Sequence, residues 1–218
     1  MKVSILLGLL ALLAPLARAT DSYEYKPGEY LTIHRGLSPD KQYAIAGGPG
    51  KYLLYLMDAP AKKKIGPLTE IEETLDSGPE SLHAIWAPDS RHVAITYRED
   101  RHLWVMKLYR IENKRAFLVE VPSLFDTVAP HFDREKYNMT DTSRGSIDVV
   151  WKSPTRFVLW EQSNYWHVKS NPKAKLGKFA KAVEEEQGLY FSAETICELI
   201  DKDRCKPGEL KPGKFSDE

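Results

Sequence analysis

Trp86-Ala87-Pro88-Asp89-Ser90-Arg91-His92-Val93-Ala94-Ile95 is the stretch on which the fold turns. An apolar residue leads into a Pro-centred turn, a basic residue leaves it, and an apolar run rich in β-formers follows. Proline presets φ for a turn position, and an Asp or Ser side chain hydrogen-bonds the turn backbone. The run after the turn reads as a strand buried by its neighbours. Two further stretches repeat the pattern. Leu37-Ser38-Pro39-Asp40-Lys41-Gln42-Tyr43-Ala44-Ile45-Ala46 has the turn without the Trp, and Trp151-Lys152-Ser153-Pro154-Thr155-Arg156-Phe157-Val158-Leu159-Trp160 is shifted by one and lacks the Asp. Pro39, Asp40, Pro88 and Asp89 are therefore read as structural turn residues.

Pro39 and Pro88 are 49 residues apart and Trp86 and Trp151 are 65 apart. A period near ~40–50 residues is the length of a four-stranded propeller blade. The turn-plus-strand pattern resembles the W-S-P-D-G-x-x-[IV]-[AV] hairpin of TolB-type and WD40-like β-propeller repeats, with Trp86–Ser90 the best match. All three copies lack the Gly that follows the Asp in that pattern. The resemblance covers residues 30–165, and it implies architecture rather than activity, because propellers host many functions.

The strand reading follows. Blade one uses 30–34, 42–47, 52–57 and 63–69, blade two uses 82–86, 91–97, 102–110 and 115–121, and blade three shows only 146–151 and 155–163. Arg98–Arg101 reads as a charged hairpin turn. Closed propellers need about four blades or more, so this chain makes no ring of its own. The fold expected is mainly β: two to three antiparallel blade-like meanders, not a full ring, with a short C-terminal helical segment. Three arrangements stay open. The meanders form an open curved assembly, a homodimer completes the blade array, or the C-terminal segment covers the open edge. In that segment Leu176, Phe179, Ala180 and Val183 fall at helical spacing, which predicts a helix over 173–187 beginning at Asn171-Pro172 and stopping at Gly188. Ser192 is placed to cap a second short helix. The helix at 173–187 has an apolar stripe that would dock on an unpaired blade edge. The tail 206–218 has two Pro-Gly pairs and many charges, and reads as loose.

Residues 1–19 stand apart. Lys2, an apolar stretch from Ile5 to Leu16 and Ala17-Arg18-Ala19 have the three-part grammar of a secretory signal peptide. The apolar stretch is too short to span a bilayer, which needs ~20 residues. The organisation expected is thus a signal peptide at 1–19, a β-repeat domain at 20–170 and a C-terminal helical segment and tail at 171–218. Localisation is then secreted or periplasmic, with a mature N-terminus at Thr20. The chain carries 31 basic and 31 acidic residues, and 29 and 31 remain once the leader is removed. That balance gives no electrostatic footprint for nucleic acid. The mean hydropathy of −0.43 excludes a multi-span membrane protein. In an oxidising compartment the lone pair Cys197 and Cys205 reads as a local disulfide.

Chemistry is sparse. There is no G-x-S-x-G elbow, no H-E-x-x-H, no P-loop and no G-x-G-x-x-G, and no cofactor is implied. His83, His92 and His102 all fall in blade two, yet their register and parity are open, so no metal site is assigned. The insert 122–145 between blades two and three reads as a surface loop or, given its length, a binding loop. Asn138-Met139-Thr140 within it matches a glycosylation acceptor. The densest polar-aromatic run is Glu161-Gln162-Ser163-Asn164-Tyr165-Trp166-His167. Glu161, Asn164, Tyr165, Trp166 and His167 are the candidate binding residues, since such clusters suit a protein or glycan partner. Two functional classes follow. One is an exported binding or protein-interaction module. The other is a small secreted glycan- or ester-directed hydrolase with a site assembled from Glu161, His167 and nearby polar residues. A pocket lined by both residues would favour the hydrolase.

Overall fold

The structure is a computed structural model that describes residues 23–71, 74–140, 144–169, 172–183 and 187–214. The expected signal peptide, Asn171 and Glu184–Glu186 lie outside these residues. Strands make up 51% of the chain and helices 8%, so it is mainly β. Among the described residues no helix is long and apolar enough to cross a membrane.

Blade one is a meander of β1 (Leu31–Leu37), β2 (Tyr43–Gly47), β3 (Leu54–Asp58) and β4 (Lys63–Pro67). Blade two repeats it with β5 (His83–Trp86), β6 (His92–Asp100), β7 (Leu103–Glu112) and β8 (Arg115–Val119). Here β6 extends through Asp100, so Arg98 and Glu99 belong to the strand rather than to the charged turn read from the sequence. Blade three begins with β9 (Arg144–Ser153) and β10 (Arg156–Tyr165). Single parallel pairs join the blades, His34 with His83 and Leu103 with Gly145. The array is open and forms no ring.

The repeated turn is built the same way in blades one and two. Ser38 N–H donates to the Tyr43 carbonyl at 2.9 Å, and Ala87 N–H to His92 at 2.8 Å. The Asp40 carboxylate accepts from Gln42 N–H at 3.0 Å and that of Asp89 from Arg91 N–H at 2.9 Å. Asp40 is held below the ordinary carboxylate range. Its slight burial works against this, and the amide of Gln42 with the hydroxyls of Ser38 and Ser90 outweighs it. The residue after each Asp has left-handed φ, 60° at Lys41 and 59° at Ser90. This is the position where the repeat pattern has Gly, so the backbone keeps a conformation that the side chains do not favour.

Equivalent residues also join the blades. The Trp86 indole N–H donates to the Gly36 carbonyl at 3.1 Å, and that of Trp151 to the Ile85 carbonyl at 3.0 Å. Each Trp therefore reaches back to the residue one step before the corresponding position of the preceding blade. The turns are linked as well: Asp40 N–H donates to Ser90 Oγ at 3.0 Å. Leu37, at the Trp position of blade one, has no preceding blade and is 47% exposed.

Two cores fill the gaps. Ile33, Ile45, Leu54 and Leu56 meet Val93, Ile95, Tyr109 and Ile111 between blades one and two. Ala94, Leu108 and Val119 meet Val149, Phe157 and Leu159 between blades two and three. The connection between blades one and two is pinned by Asp76, 3% exposed, which accepts from Arg98 Nε at 2.7 Å. Asp76→Ala leaves the Arg98 charge half-desolvated without its partner. The expected cost is about 3 kcal/mol, the low end for a broken buried pair because Arg98 is partly in water. A urea-midpoint shift worth less than about 1 kcal/mol would show that the pair holds nothing.

The C-terminal segment differs from the helices expected. The helix is α2, only Lys173–Leu176, and Gly177 ends it with φ 57° and ψ −128°, a conformation open to glycine alone. The chain then enters β11 (Ala180–Val183) and β12 (Gly188–Leu199). No second helix starts at Ser192, which lies inside β12. β12 pairs with β10 over ten residues, from Arg156 with Glu198 to Tyr165 with Leu189. The segment is thus the third strand of blade three, not a cover on its edge. β13 (Cys205–Pro207) and β14 (Lys211–Pro212) return along the far side of β12, so part of the tail read as loose is ordered strand.

Candidate functional site

The five candidate binding residues do not form one exposed patch. Strand parity sends Glu161 and Tyr165 to the side of Phe157 and Leu159, into the core between blades. There the insert packs its apolar residues: of its described part, 122–140, Leu124, Phe125, Tyr137 and Met139 are buried, while His131, Asp133, Glu135 and Lys136 stay at the surface. Its α1 (Leu124–Val128) buries Leu124 and Phe125 completely, and Phe125 packs edge-on against Phe132, Tyr165 and Phe191. Asn164 is buried and lies beside Gln162. Trp166 is half-buried against Tyr190. His167 is exposed, and its carbonyl accepts from Asn138 Nδ2 at 3.0 Å. The side chain of the glycosylation sequon thus already secures the insert.

Glu161 has a defined task. Its carboxylate accepts from Leu124 N–H at 2.6 Å and lies 3.4 Å from Ser123 Oγ, at the start of α1. Burial pushes its carboxyl above the ordinary range, and the amides of Leu124 and Phe125 and the Ser123 hydroxyl only partly counter this. A carboxyl raised in the fold contributes stability that is complete below its unfolded pKa and lost as pH rises through the folded value. Glu161→Gln keeps an acceptor and removes the charge. Urea midpoints measured from pH 4 to pH 8 are expected to fall less with rising pH in this variant than in the parent. Parallel profiles would refute the assignment.

A cleft of about 690 Å³ lies at the turn end of blades one and two, lined by Asp40, Asp89, His92, Arg110 and Lys202 among others. His92 Nδ1 lies 3.1 Å from Asp89 Oδ2. Burial depresses the His92 pKa against the pull of Asp89. The neighbouring hydroxyl is not a nucleophile for this pair: Ser90 is 2% exposed, and its Oγ is taken up by Asp40. Two of the cleft's cations are also committed, with Arg110 on Glu112 and Asp203, and Lys202 on Glu112. Among the described residues no three metal-ligating side chains gather in one place.

The remaining feature is the outer face of blade three. Val150, Val158 and Ile196 stand in register on β9, β10 and β12. Val150 is 50% exposed and Ile196 44%. A groove of about 500 Å³ runs beside this row, with Val158, Ile196 and Pro207 as its apolar lining and Arg156, Glu194, Glu198, Lys206 and Lys211 around it. Sequence reasoning missed the face because it depends on β12, which was read as helix.

No family model matches the chain, and no curated protein or solved structure matches it.

The cysteines correct another expectation. Cys197 and Cys205 are buried free thiols 4.3 Å apart, not a disulfide. They are not direct cross-strand partners: Cys197 faces Pro207 and Cys205 faces Leu199. A bond of about 2 Å would draw this diagonal pair together across the ladder. The neighbouring Cys205 thiol, together with burial, holds the Cys197 thiol well above its ordinary range.

Proposed function

We propose that the protein is an exported interaction module, a set of three degenerate TolB-type blades that acts by docking a protein on the outer face of blade three. The observation that carries this is the row Val150–Val158–Ile196, an aliphatic strip in register across three strands with Val150 and Ile196 left in water. Such strips rimmed by charge mark docking surfaces. The left-handed backbone at Lys41 and Ser90 supports descent of the turns from a glycine-bearing repeat. A protein fits the strip better than a glycan, because the row itself is aliphatic rather than aromatic, with the half-buried Trp160 only at its side. Export rests on the grammar of residues 1–19, and intact mass of the exported chain is expected to place its N-terminus at Thr20. The reading is tested by affinity capture from the native envelope or secretome, with parent and Ile196→Asp proteins compared. A partner held by the parent and released by the variant supports it. Equal capture by both overturns the assignment of the face.

A further inference from the structure

Resting on that reading, we infer that the partner on this face is a second copy of the chain, docked back to back. The two ends of the array differ. The outer face of blade one is already capped by its own residues: Ala44, Ala46, Tyr55 and Met57 are buried, with Tyr30 and Tyr52 packed on them. The Tyr30 and Tyr55 rings meet at 5.3 Å, and Lys64 Nζ lies over both, at 5.4 and 5.1 Å. On the outer face of blade three the described tail reaches Ser192 and Trp160, through Gly213 and Lys214, and among the described residues Val150 and Ile196 stay exposed. An array with one closed end and one open end does not extend head to tail. It closes when the open end meets its like, which is an isologous pairing.

The charges on the open face suit that pairing. On β10, Val158 is flanked along the strand by Trp160 on one side and Arg156 on the other. On β9, Val150 is flanked by Asp148 and Lys152 in the same order, since Trp160 pairs with Asp148 and Val158 with Val150. A two-fold axis running along the row Val150–Val158–Ile196 reverses the strand direction of the second copy. It sets each aliphatic residue against its own counterpart, Asp148 against the second copy's Lys152, and Trp160 against the second copy's Arg156. On β12 Glu194 meets the second copy's Glu198. Lys211 and Lys206, their cross-strand partners on β14 and β13, stand beside them to offset the two acids. A sheet of one sign would repel itself in this arrangement, whereas opposite charges on either side of the row on β9, and a ring and a cation on β10, make those two strands complementary to their own reversed copy.

Sedimentation equilibrium of the mature chain over a wide concentration range tests the inference. The expected result is a monomer–dimer equilibrium. Ile196→Asp, and independently Val150→Lys, should weaken it tenfold or more, with unchanged far-ultraviolet circular dichroism. Asp148→Lys and Lys152→Asp alone should each weaken the dimer, because each sets like charges opposite one another. The double variant Asp148→Lys/Lys152→Asp should restore it, which a merely structural role for either residue would not do. A monomer at every concentration overturns the inference. So does a dimer indifferent to the changes at Ile196 and Val150, or a charge swap without rescue. A monomer that nevertheless captures a different protein through Ile196 overturns the second copy while leaving the docking face in place.

Discussion

Trp86→Ala and Trp151→Ala are each expected to cost about 3–5 kcal/mol, the range for emptying a core aromatic site. Each indole fills space between two blades and donates its N–H to a backbone carbonyl of the blade before it. Truncation therefore removes packing and also strips a partner from the Gly36 or Ile85 carbonyl. Trp→Phe separates the two effects: it keeps a ring, loses the donor and should cost less, about 1–2 kcal/mol. Leu37→Ala is the internal control. Leu37 occupies the same place in blade one but has no blade before it, and at 47% exposure its loss should cost about 0.5 kcal/mol or less. Denaturant unfolding of these variants decides the matter. Equal costs at Leu37 and Trp86 would show that the Trp position is not a joint between blades.

The sequence carried this joint because its cause is local. A Pro-Asp turn can be seen in five residues, and an aromatic beside it in one more. Strands in blades one and two followed from the turns with boundaries shifted by only a few residues. The segment from residue 171 onward departs from the helices expected there for an equally physical reason. Ile196, Leu199 and Ile200 sit at helical spacing, but Leu189, Phe191, Ala193, Thr195 and Cys197 are buried at every second position of β12, with Ser192 buried as well on the other side against Lys214. That alternation overlaps the helical spacing of Ile196, Leu199 and Ile200, and a count of apolar residues does not separate the two periods. Gly177 was a clearer signal, since it stands within the expected helix at a φ that ends α2. Glu161 was legible by parity alone: it shares the inward side with Phe157 and Leu159 and so points at the insert, not at solvent. The open face could not be seen at all without β12, because a row across three strands has no signature in any one of them.

Deleting residues 172–218 is expected to abolish cooperative folding of blade three and to leave β10 unpaired. β12 forms the ten-residue ladder with β10 and places Leu189, Phe191, Ala193 and Cys197 in the core shared with the insert. Burial of a Leu or Phe side chain stabilises by about 1.5–3 kcal/mol. Leu176, Leu189 and Phe191 together thus supply an amount comparable with the ~5–15 kcal/mol that a whole domain has in hand. Their loss also leaves Phe125, Tyr165 and Leu159 facing water beside an unpaired β10, the arrangement most prone to strand-edge association. The fragment 20–171 should therefore elute as aggregate and melt without a sharp transition. Removing only 201–218, which carries β13 and β14, should leave a cooperative melt at lower temperature, because those strands contribute few buried side chains. If 20–171 stays monomeric and unfolds as cooperatively as the parent, β12 is not part of the folding unit, and blade three ends at β10, as the first reading of the sequence had it.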